Sequence, residues 1–217
     1  MYPIAFGARF EAKRSRLTTF FRLILVLPWM LWVALYGLAA FLAVIVAWFA
    51  LVITARYPRG LYDFIAGFVR LAGRVNGFYL LLTDAWPPFH GNEDDAYPVR
   101  VAIGPPQASY SRAKAFFRMI VGIPVYVIQY FMVLMAEAVA ILSWLIIVIT
   151  GKQIEALHNV LKLGIAYQAR SLGYFMLLTE TWPPISEDGG TSAAPAAPPP
   201  VPDPTPSAPA AEPEQAS

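Results

Sequence analysis

Two stretches of 33 residues, 23–55 and 119–151, hold a single charged side chain between them, Glu137. Anything above about 18 consecutive apolar residues is a candidate membrane segment, so these runs constrain the fold more than any other feature. The rest of the chain agrees: 58% of the residues are apolar and 14% charged, against about a quarter charged in ordinary soluble domains. The first run is far longer than the roughly 7 to 15 residues of a signal-peptide core, so no cleaved leader is expected.

The runs are two copies of one unit. At an offset of 96, Ser15-Arg16 matches Ser111-Arg112, Phe20-Phe21-Arg22 matches Phe116-Phe117-Arg118, Pro28 matches Pro124 and Trp48 matches Trp144. The register continues through Thr54 and Thr150, Arg74 and Arg170, and Gly77 and Gly173, and closes on LLTDAWPPF and LLTETWPPI. Near the start the offset is 95, pairing Tyr2-Pro3-Ile4 with Tyr97-Pro98-Val99. The division is therefore 1–90 for the first membrane repeat, 91–96 for a linker, 97–185 for the second repeat and 186–217 for a Pro/Ala-rich acidic tail. That tail is too poor in packable side chains to offset its ordering entropy and is expected to be disordered.

Each unit opens with a β-rich piece, YPIAF or YPVRVAI, that predicts a short strand able to pair with its copy. A Ser then stands where a helix N-cap belongs. After the apolar run comes a second helical pattern. From Leu61 to Leu82 it gathers Asp63, Ala66, Gly67, Arg70, Gly73, Arg74 and Gly77 on one stripe, leaving a wide apolar face. Two readings fit that helix and can hold together: it lies in the membrane interface, or it packs on its own repeat with small residues at the contact. The Trp-Pro-Pro endings read as helix stops with interfacial anchors.

A single helix over either run would be roughly 50 Å long against a hydrocarbon core of roughly 30 Å. The alternative folds each run back on itself near Gly37 and Val133. The charges favour this alternative. Single crossings would divide the sixteen bases eight against eight, whereas two hairpins place all of them on one cytoplasmic side, as positive-inside bias requires. The expectation is an all-α integral membrane fold of two tandem repeats. Each repeat is a long hydrophobic hairpin plus an amphipathic interfacial helix, with short N-terminal β segments and the tail. A stripe of Ala39, Ala43, Ala47 and Ala50 in the first run suits close helix approach within the chain or in a homo-oligomer or larger membrane complex.

Chemistry is sparse. With no cysteine there are no disulfides and no thiolate sites. His90 and His158 are the only histidines and form no metal-ligand pattern, and the run HGNEDDAYP reads as a solvated linker. No catalytic constellation and no cofactor motif stands in a recognisable setting, so a non-enzymatic protein without cofactor or metal is expected. The bases beside the apolar runs point to anionic lipid headgroups and away from nucleic acid. The candidates are Arg14, Arg16, Arg22, Arg56, Arg59, Arg70 and Arg74, with Arg112, Arg118, Lys152 and Arg170 in the second copy. Glu137, the intramembrane polar residue, has two readings: a proton or cation site, or a carboxylate near a hairpin tip within reach of water.

RYPRGLYDFIAGFVRLAGRVNGFYLLLTDAWPPF, and more loosely TGKQIEALHNVLKLGIAYQARSLGYFMLLTETWPPI, resemble the bacterial membrane family filed as domain of unknown function 4389. In that family a long apolar segment, a basic turn, an amphipathic helix and a Pro-rich exit recur. The resemblance covers nearly everything but the tail. It implies a bacterial membrane setting and brings no activity with it; together with the hairpins and the charge layout, the expected location is the bacterial inner membrane, multi-pass, with cytoplasmic termini. The second copy departs from the first where Arg56-Tyr57-Pro58-Arg59 becomes Lys152-Gln153-Ile154-Glu155. The expected role is a membrane scaffold or accessory subunit that interacts with or shapes lipid. The alternative is a small transporter or channel component using Glu137.

Overall fold

A computed structural model describes residues 2–185, and the tail predicted to be disordered lies outside them. The order of elements is β1 (Ile4–Ala8), α1 (Arg16–Phe20), α2 (Arg22–Leu25), α3 (Leu27–Thr54) and α4 (Arg59–Tyr79). It then recurs as β2 (Val99–Ile103), α5 (Arg112–Phe116), α6 (Arg118–Val121), α7 (Ile123–Thr150) and α8 (Glu155–Phe175). The two strands pair antiparallel, with Ile4 opposite Ile103, Phe6 opposite Val101 and Ala8 opposite Val99. Because the local offset is 95, the central pair Phe6–Val101 lies on the approximate two-fold that relates the repeats.

Serine opens each unit's first helix, as its position predicts. Ser15 Oγ accepts from Thr18 N at 3.3 Å, and Ser111 Oγ accepts from Lys114 N at 3.4 Å. This satisfies one otherwise orphaned amide at each start. Pro28 and Pro124 sit in the first turn of α3 and α7, where a missing N–H costs nothing.

The hairpins expected inside the apolar runs do not form. Each run is one unbroken 28-residue helix that passes straight through Gly37 or Val133. Neither site offers turn chemistry. Leu-Tyr-Gly-Leu-Ala carries no Pro, Asn or Asp, and a helix interrupted in apolar surroundings would strand backbone groups without partners. Gly37 instead makes room for a neighbour, since a Cβ there would stand 3.2 Å from the Phe68 ring. The reversal comes just after the run. The N–H of Ala55, left-handed at φ 58°, donates to Leu51 O, and Pro58 starts α4. Gly151, at φ 72°, does the same in the second copy. A helical hairpin therefore exists in each repeat, but between the run and the helix that follows it. In the first, Tyr36 Oη donates to Phe64 O at 2.9 Å and Trp29 packs on Phe78, so α4 returns antiparallel along α3.

The interfacial placement of the second helices is likewise overturned. α4 buries Ile65, Ala66, Phe68, Val69, Leu71, Ala72, Val75 and Phe78, and α8 is buried over a similar stretch. The two helices lie at the centre, in contact with each other, with the strands and with the long helices. The glycines of the stripe allow this approach: a Cβ on Gly73 would stand 2.6 Å from a Val101 methyl, and one on Gly77 3.0 Å from Val99. Packing on the repeat, the other reading of these helices, is the one the structure adopts. Of the alanine stripe, Ala47 is buried against the chain itself, Ala43 and Ala50 are half-buried and Ala39 is exposed, while the neighbouring Trp48 Nε1 donates to Ala115 O of α5 at 3.1 Å.

The helix stops precede the Trp-Pro-Pro endings. At the end of α4, Leu82 N donates to Gly77 O at 2.8 Å and Leu81 N to Phe78 O, with Leu81 left-handed at φ 66°. This closure recurs at Leu178 and Leu177. It is a Schellman motif built on leucine in place of glycine, which carries a conformational cost of roughly 1–2 kcal/mol each.

The repeats interlock head to tail. Trp144 Nε1 donates to Thr19 O at 3.1 Å, mirroring the Trp48–Ala115 bond. Tyr110 N donates to Ala55 O, while Tyr110 Oη reaches Leu178 O. Arg14 N donates to Gly151 O, while Arg14 Nη2 reaches Leu82 O. Each turn thus sits beside the exit of the other repeat, which makes α4 and α8 antiparallel.

Candidate functional site

Five of the eleven basic residues expected at lipid headgroups are buried and serve the interior. Arg14 donates to Leu82 O at 2.6 Å and pairs with Glu11 at 3.4 Å, and loss of hydration pulls its pKa down despite the nearby Asp84 and Glu11. Arg22 lies over the Phe78 ring, 4.6 Å from its centroid. It donates to the carbonyls of Phe78 and Thr83 and forms an ion pair with Asp84. Arg118 repeats the stacking, 4.1 Å from the Tyr174 centroid. Arg74 donates to His90 O at 3.2 Å and Asn92 O at 2.6 Å, and Arg170 to Pro184 O at 3.1 Å. The physical reason is the same for Arg14, Arg22, Arg74 and Arg170. The exit segments 80–92 and 176–184 present bare carbonyls, and a guanidinium with five donors satisfies them where water is excluded.

Arg70 is half-buried and pairs with Glu93 at 2.8 Å, so the acidic linker meets a cation of its own chain. The exposed bases among the eleven are Arg16, Arg56, Arg59, Arg112 and Lys152. They fall in two groups at opposite ends of the α4–α8 pair: Arg56, Arg59 and Arg112 around the first turn, Arg16 and Lys152 around the second. The reason for placing all sixteen bases on one side goes with the hairpins that required it.

His158 is buried edge-on against Phe10, and loss of hydration, helped by the nearby Arg14 charge, lowers its pKa to about 4. Tyr2, Tyr57, Tyr62 and Tyr97 are pushed above the usual phenol range, chiefly by burial. Among the described residues, no group of three or more His, Asp or Glu side chains is placed to hold a metal ion.

Glu137 faces outward from the middle of α7 and lines a cleft of about 400 Å³. α1 and α2 supply Thr19, Arg22 and Leu23, the end of α4 supplies Tyr79, Leu80 and Leu81, and α7 adds Ala140, Ile141 and Trp144. The wall is mostly apolar. The Thr19 hydroxyl is fully buried in it without a hydrogen-bond partner among the described residues. Glu137 forms no ion pair there either, and Arg22 on the same wall is committed to Asp84 and two carbonyls. Charge counting found Glu137 but missed Thr19 and Tyr79. The signal that finds them is the repeat itself, since at an offset of 96 they stand opposite Ala115 and Phe175.

A family model described as domain of unknown function (DUF4389) matches the chain twice, over residues 16–90 and 112–186. No curated protein and no solved structure matches it.

Proposed function

Starting from a chain that belongs to the DUF4389 family in two tandem copies, we propose a non-enzymatic integral membrane scaffold or accessory subunit, anchored by α3 and α7. One observation carries the reading: the outward face of α3 is apolar from end to end, and that of α7 is apolar except at Glu137. On α3, Leu27, Leu31, Leu35, Leu38, Leu42, Val46, Phe49 and Ile53 are exposed, and on α7 Ile123, Val127, Tyr130, Leu134, Ile141, Leu145 and Ile149. A continuous exposed apolar surface of this extent needs lipid or protein cover. At about 42 Å each helix is long enough to cross a hydrocarbon core of about 30 Å with tilt.

In this reading the exposed bases at the two turns touch headgroups, and the buried arginines hold the repeats together. Among the described residues only two long helices need lipid, with α4 and α8 shielded between them. The bacterial inner membrane is the matching location. Alkaline carbonate extraction of membranes from expressing cells tests the proposal. The chain should stay in the pellet and leave it only with detergent, and release into the carbonate supernatant would contradict integral insertion.

A further inference from the structure

We infer that the Glu137 cleft is a binding site for an amphiphile with a protonated amine head and an apolar tail. The carboxylate sits halfway along α7, between the outward-facing Leu134 and Ile141, with no cation paired to it among the described residues. On the membrane-spanning reading of α7, on which this inference rests, such a carboxylate is costly unless a counter-charge reaches it, and an ammonium group supplies both charge and hydrogen-bond donors. Thr19, whose buried hydroxyl has no partner among the described residues, lines the same cleft and is a candidate second polar anchor. Apart from Tyr79 and from Arg22, which is committed to Asp84 and two carbonyls, the rest of the wall is mostly apolar, and the volume lies within the usual range for small-molecule sites of about 300–1,000 Å³. A longer tail would leave the cleft along Leu23 and Ile141, both exposed.

The two-fold supplies the internal control. The equivalent positions in the other repeat are Ala115, Phe175 and Phe41, where this cleft has Thr19, Tyr79 and Glu137. All three replacements add a polar group, and all three converge on one cavity. Packing alone gives no reason for that coincidence, since the apolar versions build the same scaffold in the other half.

The amine has two sources, a phospholipid headgroup or a free lipophilic amine. The full chain in detergent, titrated with dodecylamine and with dodecanol and read by native mass spectrometry, should bind the amine about tenfold more tightly or better. Glu137→Gln should erase the difference and leave the alcohol unchanged. Ile141→Trp, which fills the cleft, should abolish binding of both, and a circular-dichroism melt confirms that each variant is folded. Equal affinity for amine and alcohol, or a preference that survives both substitutions, overturns the proposal. Nanodiscs of phosphatidylethanolamine and phosphatidylcholine separate the sources. Glu137-dependent retention of the primary-amine lipid supports a headgroup ligand, and binding of dodecylamine alone supports a free amine. Binding in detergent needs no spanning helix, so its outcome is independent of the carbonate test.

Discussion

The two repeats share a backbone plan but not their finishing. Arg22 and Arg118 stack on equivalent rings, Trp48 and Trp144 reach across to equivalent carbonyls, and Arg74 and Arg170 hold equivalent exits. The first repeat adds local reinforcement. Trp29 and Trp32 donate to Pro87 O and Phe89 O, each at 2.8 Å, where the second repeat has Val125 and Ile128. Its Arg22 also pairs with Asp84, whereas Glu180 in the second repeat lies near Lys114, at 4.0 Å. The second repeat has the better turn residue, Gly151 in place of Ala55, and carries Glu137. Features present in both copies build the scaffold, while features of one copy adjust its stability or add a site.

The arginine pair breaks the comparison most sharply. Arg22→Ala leaves Asp84 and two carbonyls short of a partner in a buried setting, a loss of roughly 3–5 kcal/mol. Arg118→Ala removes mainly a ring contact, of the order of 0.5–2 kcal/mol. Thermal unfolding in detergent should show the first variant melting well below the second, and equal losses would refute the asymmetry.

Exchanging the turn residues has a smaller effect of opposite signs. Ala55→Gly relieves a left-handed alanine and should stabilise by up to about 1 kcal/mol, while Gly151→Ala should cost at least as much. The same melts check both.

At neutral pH the smallest effect is that of His158, which grows only in acid. His158 has its pKa lowered to about 4 from an ordinary 6.5, so the unfolded chain takes up a proton first as pH falls. Stability should therefore drop between about pH 6.5 and 4 and be unaffected by this group above that window. His158→Phe should remove this part of the acid sensitivity. The first repeat has Tyr62 at the equivalent position, bonded to Gly104 O at 2.7 Å, and contributes nothing there.

Much of this architecture is legible in the residues. The repeat, the β1–β2 pairing and the serine caps follow from spacing and side-chain type. Continuity of the apolar runs does not, because a stretch so uniformly apolar has no period that distinguishes one helix from two, and both its length and the even division of the bases argued for folding. The fate of the arginines is hidden for a different reason. A basic stripe on a helix looks the same whether it meets phosphates or carbonyls, and only the return of segments 80–92 and 176–184 decides between them. Thr19 and Tyr79 join Glu137 from three separate elements, a convergence that no local pattern encodes.

The central claim is that each apolar run is one helix and reverses only at Ala55 or Gly151. Spin labels on cysteines placed at the exposed positions Leu27 and Ile53 of this cysteine-free chain test it directly by pulsed electron resonance. A continuous helix puts the two backbones about 39 Å apart. A distance near 40 Å agrees with the account, and one below about 20 Å would mean that the run folds back on itself near Gly37.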